Sequence, residues 1–205
     1  NLMEDAPSQA IANNIGGTLA AARSAAEVGA GNFLLISTDK AVNPTSVMGA
    51  TKRVAELVIR ELNRTSSTRF IAVRFGNVLG SNASVVPIFK RQIERGGPVT
   101  VTDPDVERYF MSGTEAVGLI LQAAAVGKGG EVFILEMGEP VKIVTLAETL
   151  ITLSGLTPGE DIEIVYTGLK PGEKMTEVLS FSGEDVTDTG LEKLWVLNDS
   201  TNESG

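Results

Sequence analysis

Two adjacent residues of opposite charge, Asp39 and Lys40, are the first candidates for chemistry in this sequence. They follow the apolar run FLLIS, which is typical of a β-strand, and ligands of open α/β sheets bind at the carboxyl ends of the strands. A carboxylate beside an ammonium can act as an acid and a base if burial and mutual charge separate their pKa values. An ordinary ion pair in a surface loop is the alternative interpretation of the dipeptide.

A lysine on the next predicted helix is the second candidate. Lys52 stands four residues after Met48, so the two side chains share one face of a helix. In a nicotinamide-dependent enzyme, a lysine at such a place can bind the ribose hydroxyls and lower the pKa of neighbouring donors. Taken alone, Lys52 is better explained as a solvated lysine on a helix surface.

The elements that must position these residues alternate between helix and strand. Helical spacing of apolar residues predicts helices over SQAIANNIGGTLAAARSAAEVGA and SVMGATKRVAELVIRELNR, and short apolar runs predict strands at NFLLIS and FIAVRF, buried on both faces. The apolar stripe of the second helix consists of Val47, Ala50, Val54, Leu57, Val58 and Leu62. Such alternation predicts parallel strands joined by right-handed crossovers, in a doubly wound α/β sheet.

Beyond residue 80 the pattern becomes mixed. We predict helices at SVVPIFKRQIERGG, TEAVGLILQAAAVG and TLAETLITLSGL, and strands at PVTVTD, EVFILEMG and IEIVYTG. The predicted domains are a partial Rossmann-like domain over 1–135, with substrate-binding elements interleaved from about 80, and a small mixed α/β substrate-binding region over 136–181. Residues 182–205 become polar and are predicted to form a fraying tail.

A glycine-rich nucleotide turn is missing from the predicted sheet. The expected GxGxxG turn joins a strand to a helix, whereas NNIGGT lies inside a predicted helix and GAGN precedes a strand. The predicted fold is therefore the carboxyl-terminal part of a Rossmann-like doubly wound parallel sheet, with the amino-terminal glycine-rich half absent.

Composition excludes several kinds of site. The 205 residues contain no cysteine and no histidine, which removes disulfides, thiolate metal sites and the commonest acid/base residue, and we expect no metal. A net charge of −9 argues against a nucleic-acid surface. No apolar run is long enough to span a bilayer, and the start lacks a signal-peptide pattern. We expect a soluble, cytoplasmic domain without membrane contact from these residues, even if a longer parent is membrane-anchored.

Four segments carry a resemblance to a known family. In chain order they are STDKAVNPTSVMGATKR, VRFGNVLGS, GGPVTVTDPDVERYFM and LKPGEK. Together they resemble the nucleotide-sugar 4,6-dehydratases of the extended short-chain dehydrogenase/reductase superfamily, and above all the bacterial polysaccharide-biosynthesis branch that acts on UDP-N-acetylglucosamine. The resemblance runs from LMED to about residue 181 and matches the later part of the catalytic domain. It implies NAD as cofactor and a UDP-sugar as substrate.

The resemblance also implies catalytic roles. Asp39 would protonate the departing C6 hydroxyl, and Lys40 would remove the C5 proton made acidic by a transient C4 ketone. Thr38 would hydrogen-bond the C4 oxygen, and Lys52 would hold the nicotinamide ribose. Phe75 and Asn77, in RFGN, would lie beside the cofactor.

Met48 stands where the family has a tyrosine that takes the C4 hydroxyl proton, and a thioether cannot accept that proton in the same way. Some long, membrane-anchored members of the branch resemble this sequence in having methionine there, so the departure is compatible with activity. Thr38 relaying to water, or Lys52 acting through the ribose hydroxyl, are the two candidates for the proton acceptor.

Substrate contacts are implied for a further set: Asn77, Val86, Pro87, Lys90, Arg108, Lys170 and Glu173. A turn asparagine is the alternative for Asn77, and Val86 and Pro87 would otherwise be assigned to the core. Arg108 is suited to clamp a diphosphate, and Lys170 and Glu173 to bind phosphate and ribose. Family members commonly have arginine where Lys170 stands. Lysine keeps the positive charge of this contact but cannot bind the phosphate bidentately.

Two alternative functions remain open at this point. A nucleotide-sugar epimerase of the same superfamily would share the sheet and the RFGN loop, but C4 epimerases have no need for the Asp39–Lys40 pair and rely on tyrosine. A non-catalytic UDP-sugar-binding or assembly fragment would explain both Met48 and the missing glycine turn. We also expect a homo-oligomer, because an uncovered sheet edge favours association.

Overall fold

The computed structural model describes residues 2–81, 84–180 and 185–197. Its helices are α1 (Leu2–Asp5), α2 (Pro7–Ala10), α3 (Gly17–Glu27), α4 (Val47–Asn63), α5 (Val85–Glu94), α6 (Gly113–Val126) and α7 (Ile143–Leu153). A π-helical segment, Ile11–Gly16, joins α2 to α3, and a 3₁₀ turn covers Asp39–Ala41. Within these ranges, no helix combines the length and the apolar character needed to cross a bilayer.

The strands are β1 (Asn32–Ile36), β2 (Arg69–Arg74), β3 (Asn77–Val78), β4 (Val99–Val101), β5 (Glu107–Arg108), β6 (Phe110–Met111), β7 (Val132–Leu135), β8 (Val141–Lys142), β9 (Ile164–Tyr166), β10 (Val186–Leu191) and β11 (Leu194–Leu197). The predicted α/β class is confirmed by these elements.

Spatial contacts group the chain into two compact units. One comprises 1–75, 116–136 and 178–205, and the other comprises 76–115 and 137–177. The domains predicted from the sequence are continuous segments, whereas each of these units combines segments that are separated along the chain. The predicted domain limits stay a prediction.

The first unit is built on a five-stranded sheet of order β1-β2-β7-β11-β10. β1, β2 and β7 run parallel, as predicted for a doubly wound sheet. β11 then pairs antiparallel with β7, and β10 with β11. The core beneath α3 and α4 contains Ala22, Leu35, Ala55, Ile59, Phe70, Ala72 and Val132.

The hairpin β10–β11 corrects the prediction of a fraying tail for the part of residues 182–205 that the structure describes. Leu194 is fully buried and pairs with Leu135 of β7. The prediction weighed only the polar character of this segment, whereas the apolar run LWVL finds an open edge of the sheet. A positive φ at Gly190 and at Lys193 shapes the connection.

Burial of β1 and α4 also differs from the sequence prediction. In β1 only Leu35 is buried, and Ile36 is 42% exposed, because β1 lies at the edge of the sheet among the described strands. On α4 the predicted apolar stripe faces outward in part, with Val54 and Leu57 exposed. The buried face instead carries Gly49, Thr51, Ala55, Glu56 and Ile59.

The second unit has short strand pairs in place of a large sheet. β3 pairs with β6 and β4 with β9, both parallel, and β5 pairs antiparallel with β8. Its core joins α5, α7 and β4 through Phe89, Ile93, Val99, Val101, Ala147 and Ile151. The helices predicted for α5 and α7 and the strands predicted for β4 and β9 are confirmed.

Gly49 permits α4 to begin close to the 3₁₀ turn that carries Asp39 and Lys40. A Cβ built at this glycine would collide with the carbonyl oxygen of Lys40, and it would lie 3.2 Å from the Cβ of Pro44. The first turn of α4 therefore lies against the backbone of the candidate catalytic loop.

We expect Gly49→Ala to lower the free energy of unfolding by about 1–3 kcal/mol, because overpacking outweighs the better helix propensity of alanine. Gly118→Ala is the matched control, since Gly118 lies on α6 with no atom within 4 Å of an added Cβ. That change should be neutral or stabilise by roughly 0.5–1 kcal/mol. Urea unfolding of the three chains measures both values, and equal stability of the two variants would contradict the close contact.

Candidate active site

The candidate catalytic loop places two side-chain donors on one carboxylate oxygen of Asp39. Thr38 donates its hydroxyl to Oδ1 of Asp39 at 2.7 Å, and Lys40 Nζ donates to the same oxygen at 2.9 Å. Asp39 is fully buried, whereas the Lys40 side chain remains 24% exposed. The amide of Asp39 donates to the carbonyl of Phe75 at 3.2 Å, which ties this loop to the end of β2.

The two oxygens of Asp39 are therefore in different environments. Oδ1 accepts two hydrogen bonds, while Oδ2 is buried and has no hydrogen-bond partner among the described residues. A buried polar atom without a partner costs free energy.

Met48 lies in the first turn of α4, and this turn is capped twice. Ser46 accepts from the amide of Gly49 at 3.1 Å, and the carboxylate of Glu4 accepts from Val47 at 3.1 Å and from Met48 at 3.4 Å. An acidic side chain at a helix N-terminus satisfies free amides and interacts favourably with the helix dipole. Glu4 was not predicted from the sequence, since no local pattern indicates a cap contributed from 43 residues away.

Hydrogen bonds also connect the π-helical segment to this first turn of α4. Asn14 Nδ2 donates to the hydroxyl of Thr51 at 2.9 Å, and that hydroxyl donates to the Met48 carbonyl at 3.0 Å. π-Helical turns inside α-helices occur frequently at functional sites. Here the turn brings an amide side chain onto the helix that carries the candidate residues.

Lys52 extends toward the end of β1. Its Nζ donates to the carbonyl of Ile36 at 3.0 Å, and the residue is half-buried. Partial burial lowers the pKa of the Lys52 ammonium, and the nearby carboxylate of Glu56 raises it in part. An ammonium has three donors, so two remain after the bond to Ile36.

Glu56 is the centre of a buried polar network below this loop. Its two oxygens accept from Nε and Nη2 of Arg74, each at 2.9 Å, so the pair is bidentate. Ser37 donates to it at 2.6 Å and Arg53 at 2.9 Å. Burial on its own would raise the pKa of the Glu56 carboxyl, but the bonds and charge of Arg74, with Ser37 and Arg53, hold that pKa below its usual value.

The second unit contains a cavity of about 250 Å³. One part of its wall is apolar and aromatic, with Val85, Ile88, Phe89, Val101, Phe110 and Ile143. Polar lining residues include Asn77, Ser84, Thr100, Thr102 and Thr167, and the charged ones are Arg108, Lys170 and Glu173. Apolar walls with a few placed polar groups are typical of small-molecule sites.

Glu173 joins the charged residues of the cavity. Its Oε1 accepts from Arg108 Nη2 and from the Thr102 hydroxyl, each at 3.0 Å, and its Oε2 accepts from the Lys170 amide at 3.2 Å. Arg108 also donates to the carbonyl of Met175 at 3.0 Å. The LKPGEK loop is therefore held against the strand that carries Arg108.

The structure separates the predicted substrate residues into two groups. Asn77, Arg108, Lys170 and Glu173 line the cavity, and Asn77 Nδ2 donates to the carbonyl of Tyr109 at 3.1 Å. The remaining three, Val86, Pro87 and Lys90, belong to α5 but are not lining residues, and Lys90 is exposed. Their predicted contacts with substrate stay a prediction.

Two lining threonines were missed in the sequence analysis, although a signal for them exists. The segment VTVT alternates with a period of two, which puts Thr100 and Thr102 on the face opposite to Val99 and Val101. The two valines are buried in the core, where Val101 also lines the cavity, and both threonines are lining residues.

Comparison with known proteins gives this chain a family. The family model described as polysaccharide biosynthesis protein matches residues 1–199. The chain belongs to the polysaccharide biosynthesis protein family. The resemblance seen in its four motifs, to this branch of the extended short-chain dehydrogenase/reductase superfamily, is thereby confirmed.

Curated relatives of this family member are longer than the chain. It is 59% identical to the probable polysaccharide biosynthesis protein EpsC of Bacillus subtilis, covering 87% of the chain and 30% of the relative. Identity to the capsular polysaccharide biosynthesis protein CapD of Staphylococcus aureus is 57%, covering 95% and 32%. The inverting UDP-N-acetylglucosamine 4,6-dehydratase of Campylobacter jejuni is 31% identical, covering 95% and 57%. The chain thus spans about a third of the first two.

Solved structures share the fold of this family member. Pen from Bacillus thuringiensis superimposes with a TM-score of 0.89 at 35% identity, covering 97% of the chain and 63% of Pen. DesIV of Streptomyces venezuelae, a dTDP-glucose 4,6-dehydratase with NAD and TYD bound, gives 0.78 at 20% identity, covering 86% and 60%. The predicted partial Rossmann-like fold is confirmed by these similarities.

For this family member, we expect Glu56→Gln to lower the free energy of unfolding by roughly 3–5 kcal/mol at pH 7, because Arg74 is left buried without a counter-charge. The folded-state pKa of Glu56 lies below its usual 4.5, so its contribution is present above that pH and is lost as the pH falls through the folded pKa. The stability difference between the two chains should therefore shrink below about pH 4.5. Urea unfolding between pH 3 and pH 8 measures it.

Glu61→Gln is the control for that experiment. Glu61 pairs with Arg64 at 3.3 Å on the same helix, but both side chains are more than half exposed. Its removal should change stability by less than about 0.5 kcal/mol at any pH in the range. Equal effects of the two substitutions on the free energy of unfolding would contradict a stabilising role for the buried Glu56 network.

Proposed function

We propose that this chain is part of a nucleotide-sugar 4,6-dehydratase that converts UDP-N-acetylglucosamine to a 4-keto-6-deoxy sugar during polysaccharide or glycan biosynthesis. The observation that carries the proposal is the arrangement around Asp39, a buried carboxylate with one oxygen bonded by Thr38 and Lys40 and the other without a partner in the described residues. The inverting dehydratase among the relatives supports the reaction class.

Elimination of water across C5 and C6 requires one acid and one base. Asp39 protonates the departing C6 hydroxyl from Oδ2, the oxygen that has no hydrogen-bond partner among the described residues. Lys40, partly exposed and bonded to the other oxygen, removes the C5 proton once C4 is a ketone. The step starts with Asp39 protonated beside the neutral amine of Lys40, and it ends with the Asp39 carboxylate beside the Lys40 ammonium, so each transfer favours the other.

The residues on the NAD side fit a nicotinamide ribose. Lys52 uses one donor on Ile36 and keeps two for ribose hydroxyls, at the carboxyl end of β1. NAD, when bound, would accept the hydride from C4 and return it to C6. Phe75, which is buried directly after β2, would lie beside the cofactor.

The acceptor of the C4 hydroxyl proton differs from the family pattern because Met48 stands in the tyrosine position. Thr38 relaying to water and Lys52 relaying through the ribose hydroxyl are the two routes that the nearby groups offer. Thr38 already accepts from the Lys40 amide at 3.4 Å and donates to Asp39. A proton relay through Thr38 would therefore be coupled to Asp39, the proposed acid.

The cavity of the second unit suits a nucleoside diphosphate. Arg108 and Lys170 supply positive charge at one end, where Glu173 also lies. Arginine and lysine bind phosphate oxygens, and carboxylates bind ribose hydroxyls. The apolar part of the wall then receives the base.

A second candidate function is a C4 epimerase. UDP-glucose 4-epimerases of Rickettsia species are 32–34% identical to the chain, which is slightly above the identity to the dehydratase. Met48 counts against it, because C4 epimerases rely on tyrosine. Turnover without loss of water, giving a sugar of unchanged mass, would favour the epimerase.

Calorimetric titration of this chain with UDP-N-acetylglucosamine tests the binding half of the proposal. We expect binding, and we expect Arg108→Lys to weaken it roughly tenfold through loss of bidentate contact. Arg91→Lys, a change at an exposed residue of α5, is the matched control and should leave affinity unchanged. Absence of binding by the wild-type chain would contradict the proposal.

Turnover is tested in a longer natural chain that includes these residues and the strands of the NAD turn. We expect loss of water from UDP-N-acetylglucosamine, detected by mass spectrometry, and we expect Asp39→Asn to reduce kcat by at least about 100-fold while KM stays near its wild-type value. The chain alone should be inactive or nearly so. Sugar binding without turnover in the longer chain would instead favour a non-catalytic binding function.

A further inference from the structure

Gln92 of α5 holds Thr100 of β4 through both ends of its amide. Oε1 accepts from the backbone amide of Thr100 at 3.1 Å, and Nε2 donates to the Thr100 hydroxyl at 2.7 Å. A backbone N–H can only donate, so it must face the amide oxygen of Gln92. The orientation of the side-chain amide follows, and Nε2 is the group that faces the hydroxyl.

This orientation decides what Thr100 can offer to a ligand. Its hydroxyl oxygen accepts from Gln92, so its own hydrogen must find an acceptor elsewhere. Within the described ranges that hydrogen has no acceptor, and Thr100 lines the cavity. The structure thus presents a hydrogen-bond donor at this point of the wall.

The position of Thr100 along β4 indicates which part of a nucleotide it meets. Thr102 lies two residues further on the same face, roughly 6.6 Å away, and it bonds to Glu173 at the charged end of the cavity. A nucleotide with its phosphates at Arg108 and its ribose at Glu173 therefore extends its base toward Thr100. The group on a pyrimidine that points away from the ribose is the substituent at C4.

We propose that Gln92 sets the pyrimidine preference of this cavity by holding the Thr100 hydroxyl as a donor for the 4-oxo group of uracil. The inference rests on the proposed function, since it assumes a nucleoside diphosphate in the cavity. Cytosine carries an amino group at C4 and offers no acceptor there, so the Thr100 hydrogen would remain unpaired. Gln92 is a specificity-determining residue that acts through Thr100 and has no contact with the base itself.

Calorimetric titration of the full chain with UDP and, separately, with CDP tests the inference. The wild-type chain should prefer UDP by roughly tenfold, the effect of one hydrogen bond gained or left unmade. In Gln92→Glu the carboxylate can only accept, so it takes both the Thr100 amide and the Thr100 hydroxyl. The hydroxyl then turns lone pairs toward the cavity, and the preference for UDP should be lost or reversed.

Two further variants separate this effect from charge and from misfolding. Gln122→Glu makes the same chemical change at an exposed residue of α6 and should keep the wild-type ratio of affinities. Thr100→Val removes the hydroxyl without altering charge, and it should also abolish the preference. Circular dichroism reports the folding of each chain, and Thr100→Val decides the question if Gln92→Glu fails to fold.

The outcomes distinguish the two proposals. If the wild-type chain binds neither nucleotide, the proposed function is wrong and this inference falls with it. If it binds UDP but Gln92→Glu and Thr100→Val keep the wild-type ratio of UDP to CDP affinity, the proposed function stands and the inference alone is overturned.

Discussion

The ion pair between Glu56 and Arg74 is the interaction on which the first unit depends. Both side chains are almost completely buried, and the pair joins α4 to the end of β2. Ser37 adds the end of β1 through its bond to Glu56. Because a buried charge is costly without its partner, these three elements are held together at one edge of the sheet. The bond between Ser37 and Glu56 therefore fixes the position from which the loop with Thr38, Asp39 and Lys40 starts.

The same network explains why the buried face of α4 includes Glu56 while part of the apolar stripe is exposed. An apolar stripe would normally face the core, yet Val54 and Leu57 are exposed and Glu56 is buried. Small residues on the buried face, Gly49 and Ala55, let the helix come close enough for Glu56 to reach Arg74. The energetic preference for burying apolar area gives way here to a bidentate charged pair with further hydrogen bonds.

Polar side chains in the second unit also hold one another in place through hydrogen bonds. Glu173 orients Arg108 and Thr102, and Gln92 orients Thr100. Each of these residues directs a neighbour whose donors or acceptors face the cavity. Such support limits the ways in which the lining groups can bond, and it is the kind of arrangement that gives selectivity between ligands of similar size.

Periodicity and motif in the sequence determined the α/β class, the helices and the parallel strands, because these follow from local hydrophobic spacing. They also determined the candidates Asp39, Lys40 and Lys52, since strand ends and helix faces can be located in one dimension. Tertiary structure decided what no local pattern contains: the cap of α4 by Glu4, the buried face of α4, the hairpin β10–β11 and the bond between Gln92 and Thr100. Each of these depends on a contact between different elements, such as that of Glu4 with Val47, 43 residues away, and only the folded chain brings such elements together.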